Sequence, residues 1–139
     1  MAATLKLEIV TPDAIVYSKD VQMVTLPAIE GQIGILPRHV PVLTRLVPGE
    51  IIVRTNEGKE FLAIGEGLVE ITGERVAIVT DMAVAAKDID EARAEEARQR
   101  AAARLRDKIS DEEVATVNAS LARSLAQLRV KRRHRGARS

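Results

Sequence analysis

Proline and glycine abandon this chain partway along it. All five prolines fall within residues 12–48, seven of the eight glycines precede residue 74, and neither type recurs until Gly136. Proline fixes φ and glycine supplies positive φ, so both mark turns and interrupt regular helices. The first part therefore suits short segments joined by tight turns, whereas the second suits long uninterrupted helices.

Hydrophobic patterning agrees with the punctuation. Apolar and polar residues alternate over 5–10, 21–26, 50–55, 61–64, 67–71 and 75–79, the period of half-buried strands. Between them lie Thr11-Pro12-Asp13, Pro48-Gly49, Asn56-Glu57-Gly58 and Thr72-Gly73, which are turn sequences. Many short strands at such spacing predict a β-sandwich or barrel over residues 1–86. Its core must be aliphatic, because Tyr17 and Phe61 are the only aromatic residues.

Residues 87–139 read as an antiparallel helical hairpin with a basic tail. Six alanines lie between Ala92 and Ala103. Asp88-Ile89-Asp90-Glu91 opens the first helix, with Asp88 as cap and Glu91 reaching back, and Ser110-Asp111-Glu112-Glu113 repeats the signal. These signals predict a first helix ending near Lys108, a second beginning near Asp111, and a connection of about two to four residues. One stripe carries Ala94, Ala97, Ala101, Leu105 and Ile109, and the other Val114, Val117, Leu121, Leu125 and Leu128. Alanines bury little area at about 25 cal/mol per Å², so the hairpin should be held weakly and be able to move.

Several functions are excluded or disfavoured. There is no cysteine, hence no disulfide, thiolate metal site or thiol nucleophile. No run reaches the roughly 18 apolar residues of a membrane span, and the N-terminus lacks signal-peptide regions, so the chain reads as soluble or peripheral. No phosphate-binding glycine loop, G-x-S-x-G elbow or H-E-x-x-H helix occurs, and no metal site or catalytic residue is expected. Residues 129–139 hold six Lys/Arg and no acid, leaving residues 1–128 with 15 Lys/Arg against 20 Asp/Glu. That tail suits either an anionic surface or the negative end of a helix dipole. A nucleic-acid module would need a second basic or aromatic surface, and the sequence offers none.

Glu30-Gly31-Gln32-Ile33-Gly34-Ile35-Leu36-Pro37-Arg38-His39-Val40-Pro41-Val42-Leu43 resembles a signature stretch of the epsilon subunit family of F-type ATP synthases. Ile9 to Asp13, Gly65 to Glu70, Asp88 to Ala94 and Leu121 to Val130 resemble other family segments, in order. The resemblance spans essentially the whole chain. It implies a non-catalytic rotor subunit, peripheral on the cytoplasmic face of the bacterial cell membrane, with membrane contact only through the complex. Its partners would be the gamma subunit, the c-ring and the catalytic alpha and beta subunits, without nucleic acid. The sandwich would bind gamma and the ring, with Gly31, Gln32, Gly34, Arg38 and His39 as candidate interface residues. The hairpin would extend along gamma and restrain ATP hydrolysis, presenting Arg98, Arg104, Arg129, Lys131, Arg132 and Arg133 to acidic segments.

Two residues depart from the family pattern. Gln32 stands where a carboxylate is frequent, and Arg38 where glycine is usual, which predicts a different path for that turn. His39, flanked by prolines and lacking a catalytic partner, reads as structural or as an interface residue. Ile89-Asp90-Glu91-Ala92-Arg93-Ala94 also resembles an ATP-binding motif of some bacterial members. Arg93 and Arg100, seven apart on one helical face, could join Arg123 around a polyphosphate, with Asp90 toward ribose or base and Ile89 and Ala94 as apolar contacts. Equally, Asp90 and Arg93 could form a surface pair on an alanine helix. Gln127 and Val84 stand where ATP-binding members carry an arginine and an acid. No cofactor is required on this reading; ATP would be a regulatory ligand.

Overall fold

The computed structural model describes residues 3–136, comprising ten strands, a 3-10 turn and two helices. Of the basic tail, Arg138 lies outside the described residues, as does the side chain of Arg135. The strands are β1 (Leu5–Val10), β2 (Ile15–Val21), β3 (Met23–Ala28), β4 (Gly31–Ile35), β5 (Val42–Leu46), β6 (Gly49–Thr55), β7 (Gly58–Ile64), β8 (Gly67–Ile71), β9 (Arg75–Thr80) and β10 (Ala83–Ala85). A 3-10 turn over Ala86–Asp88 precedes helices α1 (Glu91–Arg104) and α2 (Asp111–Gly136). This is the expected all-β sandwich followed by an antiparallel helical hairpin.

The strands run β10-β7-β6-β3-β5-β8-β9-β1-β2 through one sheet, with β4 paired to β3. Every pairing is antiparallel except β1 with β9. The sheet folds until its ends nearly meet: Lys19 on β2 reaches Glu60 on β7 at 3.2 Å, and the Gln22 amide donates to the Arg54 carbonyl. Strand alternation sends Leu5, Leu7 and Ile9, Ile51 and Val53, Val69 and Ile71, and Val76 and Ile78 into one core. That core is aliphatic, with Tyr17 as its one aromatic member.

The hairpin stacks in order rather than side by side. The second half of α2 lies on β6, β7 and the 3-10 turn, and α1 lies on α2. Ala94 and Ala101 are buried on α1, while Ser124, Ala126, Leu128 and Val130 are buried on α2. Three expectations need correction. Asp90 caps α1, accepting from the Arg93 amide at 3.1 Å, because residues 86–88 are taken up by the 3-10 turn. Helix α1 ends at Arg104 instead of Lys108, since Arg106, Asp107 and Lys108 are exposed and add no apolar contact to α2. The connection is accordingly longer, running from 105 to 110. At α2 the Ser110 hydroxyl accepts from the Glu113 amide, as the capping signal predicts.

Candidate interaction surfaces and hairpin contacts

The outward face of the sandwich is the first surface. Strand register aligns Arg45, Leu68, Val79, Val10 and Ile15 as direct cross-strand neighbours on β5, β8, β9, β1 and β2. Their inward-pointing chain neighbours Val69, Ile78 and Ile9 fill the core, so this row points outward. Leu68, Val79 and Ile15 are 53%, 61% and 65% exposed, and Leu43, two residues before Arg45 on the same strand, is 72% exposed. A row of apolar residues across several neighbouring strands is a different matter from scattered surface leucines, and is the kind of contiguous patch that docking faces present. Sequence reading missed it, although positions 68 and 79 break the alternation by placing apolar residues where a solvated face would be polar.

The predicted interface residues fall at two ends of the sheet. Gly31, with φ 125°, and Gln32 sit at the β3–β4 turn, where Ala28 pairs with both Gly31 and Leu46. Gly34 lies within β4 opposite Thr25. Arg38 and His39 occupy the following turn at the opposite end, where the Arg38 amide donates to the Gly73 carbonyl at 2.7 Å. At about 3.3 Å per strand residue, β4 separates the two groups by roughly 15 Å. Arg38 nevertheless takes the left-handed conformation, φ 69°, so the turn keeps the path a glycine would follow. His39 Nδ1 lies 2.7 Å from the Val40 carbonyl, a local contact without a catalytic partner.

Of the nucleotide-motif residues, Ile89 is buried with Ala63 and Val130 beneath the hairpin, beside Val84 and Met82. Asp90 caps α1, Ala94 is buried, and Arg93 and Arg100 are exposed, Arg100 lying 4.0 Å from Glu96. Arg123 instead turns to the body, donating to Asp81 at 3.1 Å and resting against Gly65. Asp90 thus bonds the Arg93 backbone amide and not its guanidinium, and Arg123 is committed to Asp81. Gly65 has no room for a side chain, because a Cβ there would meet Asp81 and Arg123.

Most of the predicted inhibitory cations are engaged within the chain. Arg98 grips Glu95 through both Nε and Nη2, the shorter contact being 2.6 Å. Arg104 reaches Glu113 on α2 at 2.7 Å, and Arg132 reaches back to Glu91 at 2.9 Å and Glu95 at 3.4 Å. Lys131 donates to the Ala86 carbonyl, Arg133 pairs with Glu50 at 2.7 Å, and Arg129 is exposed. The hydrogen bond from Arg98, with the charges of Arg98 and Arg132 and a bond from Gln99, holds the Glu95 carboxyl down at about 2. No cluster of metal-ligating side chains occurs among the described residues, and none of their helices is long and apolar enough to cross a membrane.

Helix α2 has two occupied faces. Arg132 belongs to the one toward α1, with the buried Leu128 one turn before it on the same side of the helix, whereas Arg123, Val130 and His134 meet the body. The sequence stripe marks the first face; the second, spaced at 123, 130 and 134, is partly polar and carries no apolar period.

The comparisons with known proteins follow this division. Residues 4–86 match the family model "ATP synthase, Delta/Epsilon chain, beta-sandwich domain", and residues 87–132 match "ATP synthase, Delta/Epsilon chain, long alpha-helix domain". An ATP synthase epsilon chain of Alkalilimnicola ehrlichii is 40% identical over 134 residues, 96% of each chain. One from Halorhodospira halophila is 44% identical over 130 residues, covering 91% of this chain and 92% of that one. Among solved structures, a chain of the Euglena gracilis mitochondrial ATP synthase matches with a TM-score of 0.71 at 24% identity, covering 86% of this chain and 76% of that one, a likeness of fold.

Proposed function

This chain belongs to the ATP synthase delta/epsilon family, as an epsilon-type, non-catalytic subunit of an F-type enzyme, and on that premise we propose how its two parts divide the work. The sandwich is a clamp that binds the gamma subunit and rests against the c-ring, transmitting torque during proton-driven ATP synthesis. The hairpin is a switch that, when extended toward the alpha and beta subunits, restrains ATP hydrolysis. The complex would place the chain on the cytoplasmic face of the bacterial membrane, held there by its partners.

The observation that supports the clamp is the apolar row Leu68, Val79 and Ile15 with Leu43 beside it. Apolar surface of this kind is stabilised by burial against another protein at about 25 cal/mol per Å², and the gamma shaft is the partner the family implies. The turns carrying Gly31, Gln32, Arg38 and His39 flank that face at its two ends and would reach the ring or gamma. Purified gamma should be captured stoichiometrically by the chain. Leu68→Glu with Val79→Glu should abolish capture while leaving the fold intact, and unchanged capture would remove the assignment.

Regulation by ATP rests on the Ile89 to Ala94 motif. A nucleotide at Arg93 and Arg100 would recruit Arg123 from Asp81, and by binding the closed hairpin alone it would draw population from the extended state. Calorimetric titration of the full chain with ATP, with Arg93→Ala as control, tests this. Saturable binding lost in the variant supports the sensor, and absence of binding at millimolar concentration removes it.

A further inference from the structure

We propose that Glu50 is the catch of a latch that holds the last described turn of α2 on the sandwich and sets the balance between the closed and released hairpin. The proposal rests on the reading above that the hairpin can leave the body.

Glu50 is the second residue of β6, next to the inward-facing Ile51, so its side chain points to the opposite face, which α2 covers. Only 10% of that side chain is exposed. A carboxylate so enclosed is costly unless both oxygens are bonded. Both are: Arg133 Nη1 donates to Oε1 at 2.7 Å, and His134 Nε2 lies 2.6 Å from Oε2. The His134 ring also stacks on Phe61 of β7, with centroids 3.6 Å apart and planes 23° from parallel. Its own side chain is 17% exposed. Two successive residues of α2, 83 and 84 positions away in sequence, thus converge on one acid.

The asymmetry is what makes this a catch rather than a surface ion pair. Release returns Glu50 to water, where it needs no partner, whereas closure requires both partners at once. Arg133 is also a cation assigned to the catalytic subunits in the extended state. It cannot serve Glu50 and an acidic segment elsewhere together, so closing the latch withdraws it from the brake. His134 lines a cleft with Lys19 of β2, Glu57 of the β6–β7 turn, Lys59 and Glu60 of β7, Lys87 and Asp88 of the 3-10 turn and Lys131 of α2, charges of both signs. The acid bonded to the ring itself is Glu50, which stands apart from that lining.

Amide hydrogen exchange on the full-length chain, resolved over α2 residues 124–134, tests the catch. Glu50→Gln keeps volume and one acceptor, and should speed exchange there about tenfold, the loss expected for charge-assisted bonds. Exchange in β8 and β9 should not change. His134→Gln should act in the same direction, and combining it with Glu50→Gln should add much less than its effect alone. Additive effects, or unchanged exchange in Glu50→Gln beside a Val130→Ala control that does open α2, overturn the latch and leave the mobile hairpin standing. If Val130→Ala also opens nothing short of global unfolding, the mobile hairpin itself is wrong and the latch falls with it.

Discussion

The sandwich and the hairpin are folded from the same chain by different means. The sandwich closes nearly on itself around branched aliphatic side chains drawn from almost every strand. The hairpin buries chiefly small residues, Ala94, Ala101, Ser124 and Ala126, with Leu128, Ile89 and Val130 as its larger buried side chains, and ties its helices together with arginine–carboxylate pairs. Exposed pairs of that kind contribute about 0–1 kcal/mol each, whereas burying one large aliphatic side chain contributes about 1.5–3 kcal/mol. The difference teaches that the two parts need not open together. A clamp must survive torque, and a switch must release at modest cost.

The contrast is broken most severely from inside the sandwich. Ile78→Ala should cost about 2–5 kcal/mol and lower the midpoint of chemical denaturation for the whole chain, because the removed volume lies in the shared core. Val130→Ala should cost roughly 2 kcal/mol, yet loosen the hairpin alone, visible as faster proteolysis within α2 while the sandwich midpoint holds. Equal loss of both parts would mean that they form one cooperative unit. Arg38→Gly works in the opposite direction. Relief of the left-handed backbone at φ 69°, offset by the extra freedom of unfolded glycine, should raise denaturation stability of the sandwich by about 0.5–1 kcal/mol.

The smallest effect is a pH dependence confined to the hairpin. Glu95 is held at about 2, below its ordinary 4.5, by the Arg98 hydrogen bond first and then by charges that include Arg132 of α2. A depressed carboxyl contributes stability that is complete above its ordinary value and is lost as pH falls. Helix contacts should therefore weaken between pH 4.5 and 2, and Glu95→Gln should flatten that part of the helical circular-dichroism titration.

What the sequence made legible follows the same contrast. Strands β1 and β8 are legible at their observed bounds, Leu5–Val10 and Gly67–Ile71, because Leu5, Leu7 and Ile9 and then Val69 and Ile71 keep a two-residue period into the core and turn residues bound each run. Strand β2 was missed because Ser18, Lys19 and Asp20 form a polar run at the end of the sheet. Strand β4 carries Gly31 and Gly34, β5 follows directly on a proline-flanked turn, and β10 spans three residues, so none shows a period. In the hairpin, the alanine stripe and both helices were legible. The latch was not, since Glu50 and His134 become neighbours only through tertiary packing across 84 positions. The apolar outer row was hidden for a related reason: its members come from separate strands, and only the register aligns them.

The most direct test of the central claim, that the body couples while the hairpin restrains, is ATP hydrolysis by complexes reconstituted with the full chain or with a chain truncated after Lys87. The account predicts that truncated chains assemble and support proton-driven synthesis to near the same level, while hydrolysis rises severalfold. Hydrolysis unchanged by truncation, in complexes that assemble equally well, would contradict it.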